Sequence, residues 1–435
     1  MENVRTKIVD QMEQMLRHGI IRDRRFLDDE QLIRSEQLAV LEEVFNANVR
    51  DREIREISCH FAPIFRGDHP MHLAIWGKTG TGKTMTMSFF LKLLAEMARE
   101  KKVPLRHKQL DLTTPRPCFR ALNDLACLLN ASKRYHKGIS LEELMLRIEV
   151  SLAEYQGYLV LFIDEVDNVR RDKDTFLAFL VRRLPQRIPA KLILVFASNH
   201  LNWTENLDSR IRSFLKLNEL IFKPYDAIDL QRILRIRVDK ALRPDVVEPG
   251  VIEKISALAS RDHGDARQAV ALLARGAYLA EKAGTGLSLD MVDEAADQIE
   301  QDRYILMIRT APPQLQAALA GVIDAVRQNR NAATSTGQVY DAYRTFCRRA
   351  SLRALATRAF ADLLSELDLY TFLRSRVHSR GRYGRTREIL LDMDDTLIGR
   401  IYETILINFE LQHPLSRQPP RQQQSDAHSA TTNPA

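Results

Sequence analysis

The sequence predicts an α/β domain built on a parallel sheet, then an all-helical segment, then three helices closed by a basic β-hairpin. Three stretches carry that expectation. Leu73-Ala74-Ile75-Trp76 runs directly into Gly77-Lys78-Thr79-Gly80-Thr81-Gly82-Lys83-Thr84 and a helix-forming segment, which is a strand, a tight loop and a helix start. Leu159-Val160-Leu161-Phe162-Ile163 is a second apolar run, ending in Asp164-Glu165, the signature of a strand buried on both faces. Beyond Lys223-Pro224-Tyr225-Asp226 the strand signals cease, and they return only as the alternating segments Thr371 to Val377 and Thr386 to Leu391.

The spacing of the first stretch answers one physical demand. A polyphosphate must be wrapped by backbone N–H groups, and side chains at Gly77, Gly80 and Gly82 would stand in the way. Lys78, Thr79 and Thr81 complete the loop, Lys83 brings a cationic head to the terminal phosphates, and the Thr84 hydroxyl is placed to ligate Mg²⁺ at a helix N-terminus. ATP or ADP with Mg²⁺ is the expected ligand. At the end of the second strand, Asp164 suits holding the metal through water, and Glu165 suits orienting or deprotonating an attacking water. Asp167 reads as structural. A third apolar run, Leu192 to Ala197, ends in Ser198-Asn199, whose amide can position the same water. Leu207-Asp208-Ser209-Arg210-Ile211-Arg212 then offers arginines that can reach a nucleotide in this subunit or in a neighbour.

At 435 residues the chain exceeds what one hydrophobic core usually organises, so two or three domains are expected. The 64 basic against 57 acidic residues, a net charge of +7, suit a polyanionic partner. Cys59, Cys118, Cys127 and Cys347 are scattered with no Cys-x-x-Cys pair, as reduced cysteines of a cytosolic protein are. Residues 1–25, with Ile8, Met12 and Met15 at helical spacing, read as a solvated extension with neither a signal-peptide core nor a spanning segment, so no membrane role is expected. Asp28-Asp29 precede a helix carrying Ile33, Leu38, Leu41 and Phe45. Within the α/β region Leu105 to Leu110 reads as a further strand and Cys118 to Leu129 as a helix.

Past Asp226 the segments Ala227 to Ala241, Val251 to Ser260, Asp265 to Lys282 and Met291 to Ile308 all read as helices. Arg267 stands at the start of one of them. Pro312-Pro313 marks a further boundary. Leu315, Leu319, Val322 and Val326 define one helix, Ser335 and Gln338 form a capping box for the next, and Phe360, Leu363, Leu364 and Leu367 define the third. Three helices followed by a hairpin is the winged-helix pattern, whose third helix enters the major groove while the wing touches the backbone or minor groove. Arg374, Arg376, Arg380, Arg382, Arg385 and Arg387 cluster around a tip that also carries Tyr383, and arginine's planar fork suits phosphate. The expected division is an extension over 1–25, a base over 26–222, a helical lid over 223–311, a winged helix over 312–410 and a disordered tail over 411–435.

Taken together, Ile75 to Thr84, Asp262-His263-Gly264-Asp265-Ala266-Arg267 and Ser379 to Thr386 resemble the archaeal origin-recognition initiators, the Orc/Cdc-six type of AAA+ ATPases, over roughly residues 28 to 410. The resemblance implies a AAA+ core with Asp164 and Glu165 as the Walker B pair, Asn199 and Arg267 as first and second sensors, and Arg210 as arginine finger. It adds Tyr225 and Arg237 to the nucleotide site. It puts an initiator-specific insertion that touches DNA at Thr113 to Gly138, with Arg116, Lys133, Arg134 and Lys137 as its candidates, and DNA contacts at Thr357 and Arg358. One departure is clear: the recognition helix opens Ala356-Thr357-Arg358-Ala359-Phe360-Ala361, poorer in hydroxyl and arginine side chains than the family pattern, so more of the grip falls to the wing. The function implied is an ATP-dependent replication initiator and slow ATPase switch, cytoplasmic and nucleoid-associated. Its implied partners are double-stranded origin DNA, a minichromosome-maintenance-type helicase, and paralogous initiators or further copies of itself. The alternatives are a nucleotide-gated DNA-binding regulator or plasmid-type initiator that loads no helicase, and a closed hexameric remodelling motor.

Overall fold

The structure, a computed structural model, describes residues 19–34, 42, 45, 49–130, 138–261, 264–329, 334–379, 385–391 and 393–411. It divides into two compact units, residues 1–296 and 297–435.

In the first unit the strands are β1 (His72–Trp76), β2 (Leu105–Asp111), β3 (Arg116–Pro117), β4 (Tyr158–Asp164), β5 (Val169–Arg171), β6 (Lys191–Ser198) and β7 (Leu217–Ile221). Five of them form one sheet in the order β2-β4-β6-β1-β7, parallel throughout, while β3 and β5 pair separately. Successive side chains of a strand face opposite sides, and both faces of this sheet are covered. Ala74, Trp76, Leu161, Ile163, Leu194 and Phe196 join one core with Leu122, Leu125 and Ile148, while Leu73, Ile75, Val160, Phe162, Ile193 and Val195 join another with Ile57, Phe61, Met87 and Leu94. That two-sided burial is why these strands read as unbroken apolar runs. β7 departs from the pattern as an edge strand carrying Asn218 and Glu219, and the sequence expectation does not include it.

Parallel pairing has one consequence for chemistry. Trp76 lies beside Ser198, and Asp111 beside Asp164, so the phosphate-loop sequence, Asp164-Glu165 and Asn199 all leave the sheet at its carboxyl edge, where ligands of α/β folds bind.

The helices Ala227–Ala241, Val251–Arg261 and Ala266–Ala283 follow, and each boundary lies within a residue or so of the expected one. Asp226 and Asp265 cap the first and third by accepting from Asp229 N and Arg267 N. The N-terminal expectation needs correction around Ile20 to Asp23, whose backbone is docked, while the Arg22, Arg24 and Arg25 side chains stay exposed. Ile20 is buried, Arg22 N donates to Ala241 O (2.6 Å), Arg243 N donates to Ile20 O (2.9 Å), and Ile21 N donates to Glu281 Oε1 (3.1 Å). Ile20 buries its side chain, and the N–H groups of Ile21 and Arg22 that follow it find acceptors at the ends of two lid helices. Residues 1–18, and with them Ile8, Met12 and Met15, lie outside the described residues, as do 412–435.

The second unit contains the helices Pro313–Gln328, Thr336–Arg349 and Thr357–Leu369, then the hairpin β9 (Leu373–Ser379) and β10 (Arg385–Leu391), with β8 (Thr334–Ser335) pairing on the far side of β10. The Ser335–Gln338 capping box is present. Leu319, Val326, Tyr343, Phe346, Phe360 and Leu364 build the core together with Ile401, Tyr402 and Ile405 of a further helix, Asp395–Asn408, capped by Asp394 and absent from the sequence expectation. Among the described residues no helix is long and apolar enough to cross a membrane.

Candidate functional site

The loop 77–82 closes because two of its glycines adopt left-handed backbone, Gly80 with φ 76° and Gly82 with φ 82°. Space as well as torsion demands glycine there. A Cβ on Gly82 would stand 2.3 Å from the Tyr225 hydroxyl, and one on Gly80 1.8 Å from Asp265 Oδ1. Both obstructing residues belong to the lid side, so the lid packs directly on the phosphate loop, and Ala266 N donates to Gly80 O (3.2 Å).

Lys83 opens the helix Lys83–Glu100, and its Nζ donates to Gly77 O (2.7 Å), Lys78 O (3.0 Å) and Asn199 Oδ1 (2.8 Å). Burial pulls its pKa down to about 8, against the opposing pull of Asp164. The Thr84 hydroxyl donates to Asp164 Oδ2 (2.6 Å). Burial raises the Asp164 carboxyl, with the Thr84 hydrogen bond acting the other way. Glu165 sits in left-handed backbone (φ 52°) immediately after β4, and burial followed by the neighbouring Asp164 charge raises its pKa too. Asn168 Nδ2 donates to Glu165 Oε2 (3.0 Å) and to Thr113 O (3.2 Å), holding that carboxylate.

These groups line one cleft of about 860 Å³, counted with its open mouth, together with Thr79, Thr81, Arg267, Tyr225 and Arg237. Of the nucleotide-site residues expected from the sequence, all but Gly77, Lys78 and Arg210 line it. Arg237 lines the cleft as expected, at 2% exposure, with its Nη atoms engaged by Asp29 Oδ1 (2.5 Å) and Phe26 O (2.9 Å) and its buried Nε without a hydrogen bond. Arg210 is exposed at the start of the helix Ser209–Leu215 and does not line the cleft. The donor set fits a hard divalent cation: Thr84 and Asp164 present oxygens 2.6 Å apart beside a loop shaped for phosphate.

Sequence reasoning missed Arg50, which lines the same cleft at 6% exposure. It also missed Asp29 and the apolar wall formed by Val49 and Ile233.

In the second unit Thr357 and Arg358 occupy the exposed first turn of the third helix, whose N-cap, Ala356, makes no side-chain hydrogen bond. Arg374 and Arg376 are exposed on β9, and Arg387 Nη1 donates to Ser365 Oγ (3.2 Å). Arg380, Arg382, Tyr383 and Arg134 lie outside the described residues, and Arg385 is described only as the first backbone position of β10. Arg116 is engaged by an ion pair with Asp124.

Comparison with known proteins agrees with this layout. Residues 66–202 match the family described as AAA domain, 231–297 the Cdc6 AAA+ ATPase-type lid domain, and 307–400 the CDC6, C terminal winged helix domain. The ORC1-type DNA replication protein 1 of Sulfurisphaera tokodaii is 33% identical over 357 residues, 81% of this chain and 88% of that protein. The ORC1-type DNA replication protein of Pyrococcus abyssi is 32% identical over 362 residues, 81% and 85% of the two chains. The solved Aeropyrum pernix ORC1 protein in complex with DNA superposes with a TM-score of 0.70 at 29% identity, covering 89% of this chain and 97% of that one. Cdc6p from Pyrobaculum aerophilum shares the fold, with a TM-score of 0.53 at 19% identity over 90% of this chain and 100% of that one.

Proposed function

The chain belongs to the ORC1-type DNA replication protein family, and from that premise we propose that it is an ATP-switched initiator that binds duplex origin DNA and recruits the replicative helicase there. The observation that carries this reading is the convergence of Lys83, Thr84, Asp164, Glu165, Asn199 and Arg267 on one cleft closed by the lid.

In this reading the loop N–H groups and Lys83 hold the polyphosphate, and Arg267 approaches the terminal phosphate from the lid. Thr84 and Asp164 hold Mg²⁺, which when bound supplies charge neutralisation at the phosphate oxygens. Glu165, its pKa raised by burial and by Asp164, takes a proton from the attacking water on a carboxylate oxygen, while Asn199 fixes that water's position. Loss of the γ-phosphate removes the partner of Arg267 and releases the lid, with a coupling of about 1–3 kcal/mol between nucleotide and DNA sites typical of such switches. Arg210, exposed and away from the cleft of its own chain, serves a neighbouring subunit.

The proposed DNA-binding surface is the winged helix over about residues 312–410, through Thr357 and Arg358 of the third helix and the wing arginines Arg380, Arg382, Arg385 and Arg387, with Tyr383 at the tip. The segment Thr113 to Gly138 adds contacts through Arg134, whereas Arg116 must first give up Asp124. The test compares wild type with Glu165→Gln on labelled duplex from the cognate origin. The variant is expected to retain ATP, to lose at least a hundredfold of the hydrolysis rate, and to hold DNA in the ATP-bound footprint; full turnover by the variant assigns water activation to another group.

A further inference from the structure

Arg50 is the one arginine of the charged run Arg50-Asp51-Arg52-Glu53 that the fold buries. Its Nη2 donates to Thr81 O of the phosphate loop (2.8 Å) and to Lys223 O at the junction between base and lid (2.7 Å), and its Nη1 pairs with Glu53 (3.0 Å). The guanidinium lies over the Tyr225 ring, 3.9 Å from its centroid, and 5.2 Å from that of Phe222. Tyr225 in turn fills the space beside Gly82. One side chain therefore ties the loop that holds phosphate to the chain segment from which the lid departs.

Both Nη atoms are thus engaged, whereas Nε is not. Arg50 Nε is buried without a hydrogen bond, in a residue that lines the nucleotide cleft beside Val49, Tyr225 and Ile233. A buried donor left unpaired is costly, and more so on a cation, so an acceptor in the cleft is the natural resolution. A phosphate acceptor is already matched by the loop N–H groups and Lys83. The apolar neighbours of Arg50 instead suit the flat, acceptor-bearing end of a nucleotide, its base and ribose.

We propose that Arg50 is a nucleotide-contacting positioning residue, whose Nε donates to the base or ribose end of a bound nucleoside di- or triphosphate while its Nη atoms couple occupancy of the phosphate loop to the position of the lid. This rests on the nucleotide-binding reading above. Filling the cleft completes the hydrogen bonding of Arg50 and fixes the guanidinium. The carbonyls of Thr81 and Lys223 are then held at a constant separation, and the lid is held closed from the base side independently of Arg267 on the other.

Arg50→Ala strips both carbonyls of a partner and endangers the fold, so Arg50→Lys and Arg50→Gln carry the test, with Arg52→Ala, an exposed neighbour 75% accessible, as control. Affinity for ADP and for ATP is measured by titration calorimetry, and each variant's thermal stability is measured without nucleotide to separate folding from binding. Hydrogen exchange of residues 223–241 is followed with and without saturating ADP. Arg50→Lys and Arg50→Gln are expected to weaken both nucleotides by about tenfold or more, the usual cost of losing a charged donor. At saturation they should also lose the lid protection that wild type gains, while Arg52→Ala behaves as wild type. Wild-type affinity in both Arg50 variants overturns the contact, and wild-type protection at saturation overturns the coupling. Absence of nucleotide binding by the wild-type chain itself overturns the broader reading and this inference with it.

Discussion

Replacing Gly80 by alanine probes the seam between phosphate loop and lid. Alanine at φ 76° costs about 1–2 kcal/mol in backbone strain. Its Cβ would lie 1.8 Å from Asp265 Oδ1 and 2.1 Å from Asp265 Cγ, so the Asp265 side chain must leave. That carboxylate caps the helix Ala266–Ala283 by accepting from Arg267 N at 2.8 Å, and losing such a cap costs about 1 kcal/mol. Gly80→Ala should therefore destabilise the first unit by about 2–3 kcal/mol in all, with a lower melting temperature and weaker ATP binding as Arg267 loses its anchored start. Asp265→Ala alone should cost only the cap. Because the double variant has no carboxylate left to displace, it should cost about as much as Gly80→Ala, a coupling of about 1 kcal/mol between sites in direct contact. The assay is chemical denaturation of the four proteins, alongside nucleotide titration. Strictly additive losses, or a Gly80→Ala protein as stable as wild type, would refute the seam.

Two other outcomes are expected. The His72 imidazole, whose Nδ1 accepts from Leu194 N at 3.3 Å, is held down to about 4 by burial and, secondarily, by His69 and His60. The unfolded chain takes up a proton near pH 6.5 that the folded chain refuses until about pH 4, so stability should fall as pH drops through that window, and denaturation of His72→Asn at pH 7 and pH 5 should show a flatter loss. Arg382→Ala combined with Arg385→Ala should reduce the salt slope of duplex binding by about two phosphate contacts while ATP affinity stays unchanged. An unaltered slope in filter binding removes the wing from the interface.

The parts of this molecule that were legible in its sequence are those where physics leaves one residue type. Gly80 and Gly82 are glycines because a Cβ has no room, and Leu159 to Ile163 of β4 and Leu192 to Ala197 of β6 are apolar without interruption because both faces of the sheet are covered. The lid helices were legible for another reason: Asp226 and Asp265 announce their starts. Arg50 was hidden because one arginine among Arg50-Asp51-Arg52-Glu53 looks like any solvated helix face, and only the tertiary approach of Thr81 and Lys223 distinguishes it from Arg52. β7 escaped because an edge strand with Asn218 and Glu219 lacks the apolar run. Arg237 was placed correctly at the cleft through the family resemblance, yet its pairing with Asp29 depends on a strap 208 residues away in sequence, a distance over which no local pattern reports.

An initiator of the proposed kind occupies the places where replication begins. Immunoprecipitation of the protein with its bound chromatin from its own cells, mapped genome-wide beside measured initiation sites, tests that most directly. Binding concentrated at one or a few initiation sites is the predicted result. Binding spread over promoters, with none at initiation sites, would rule out an initiator and favour a nucleotide-gated regulator.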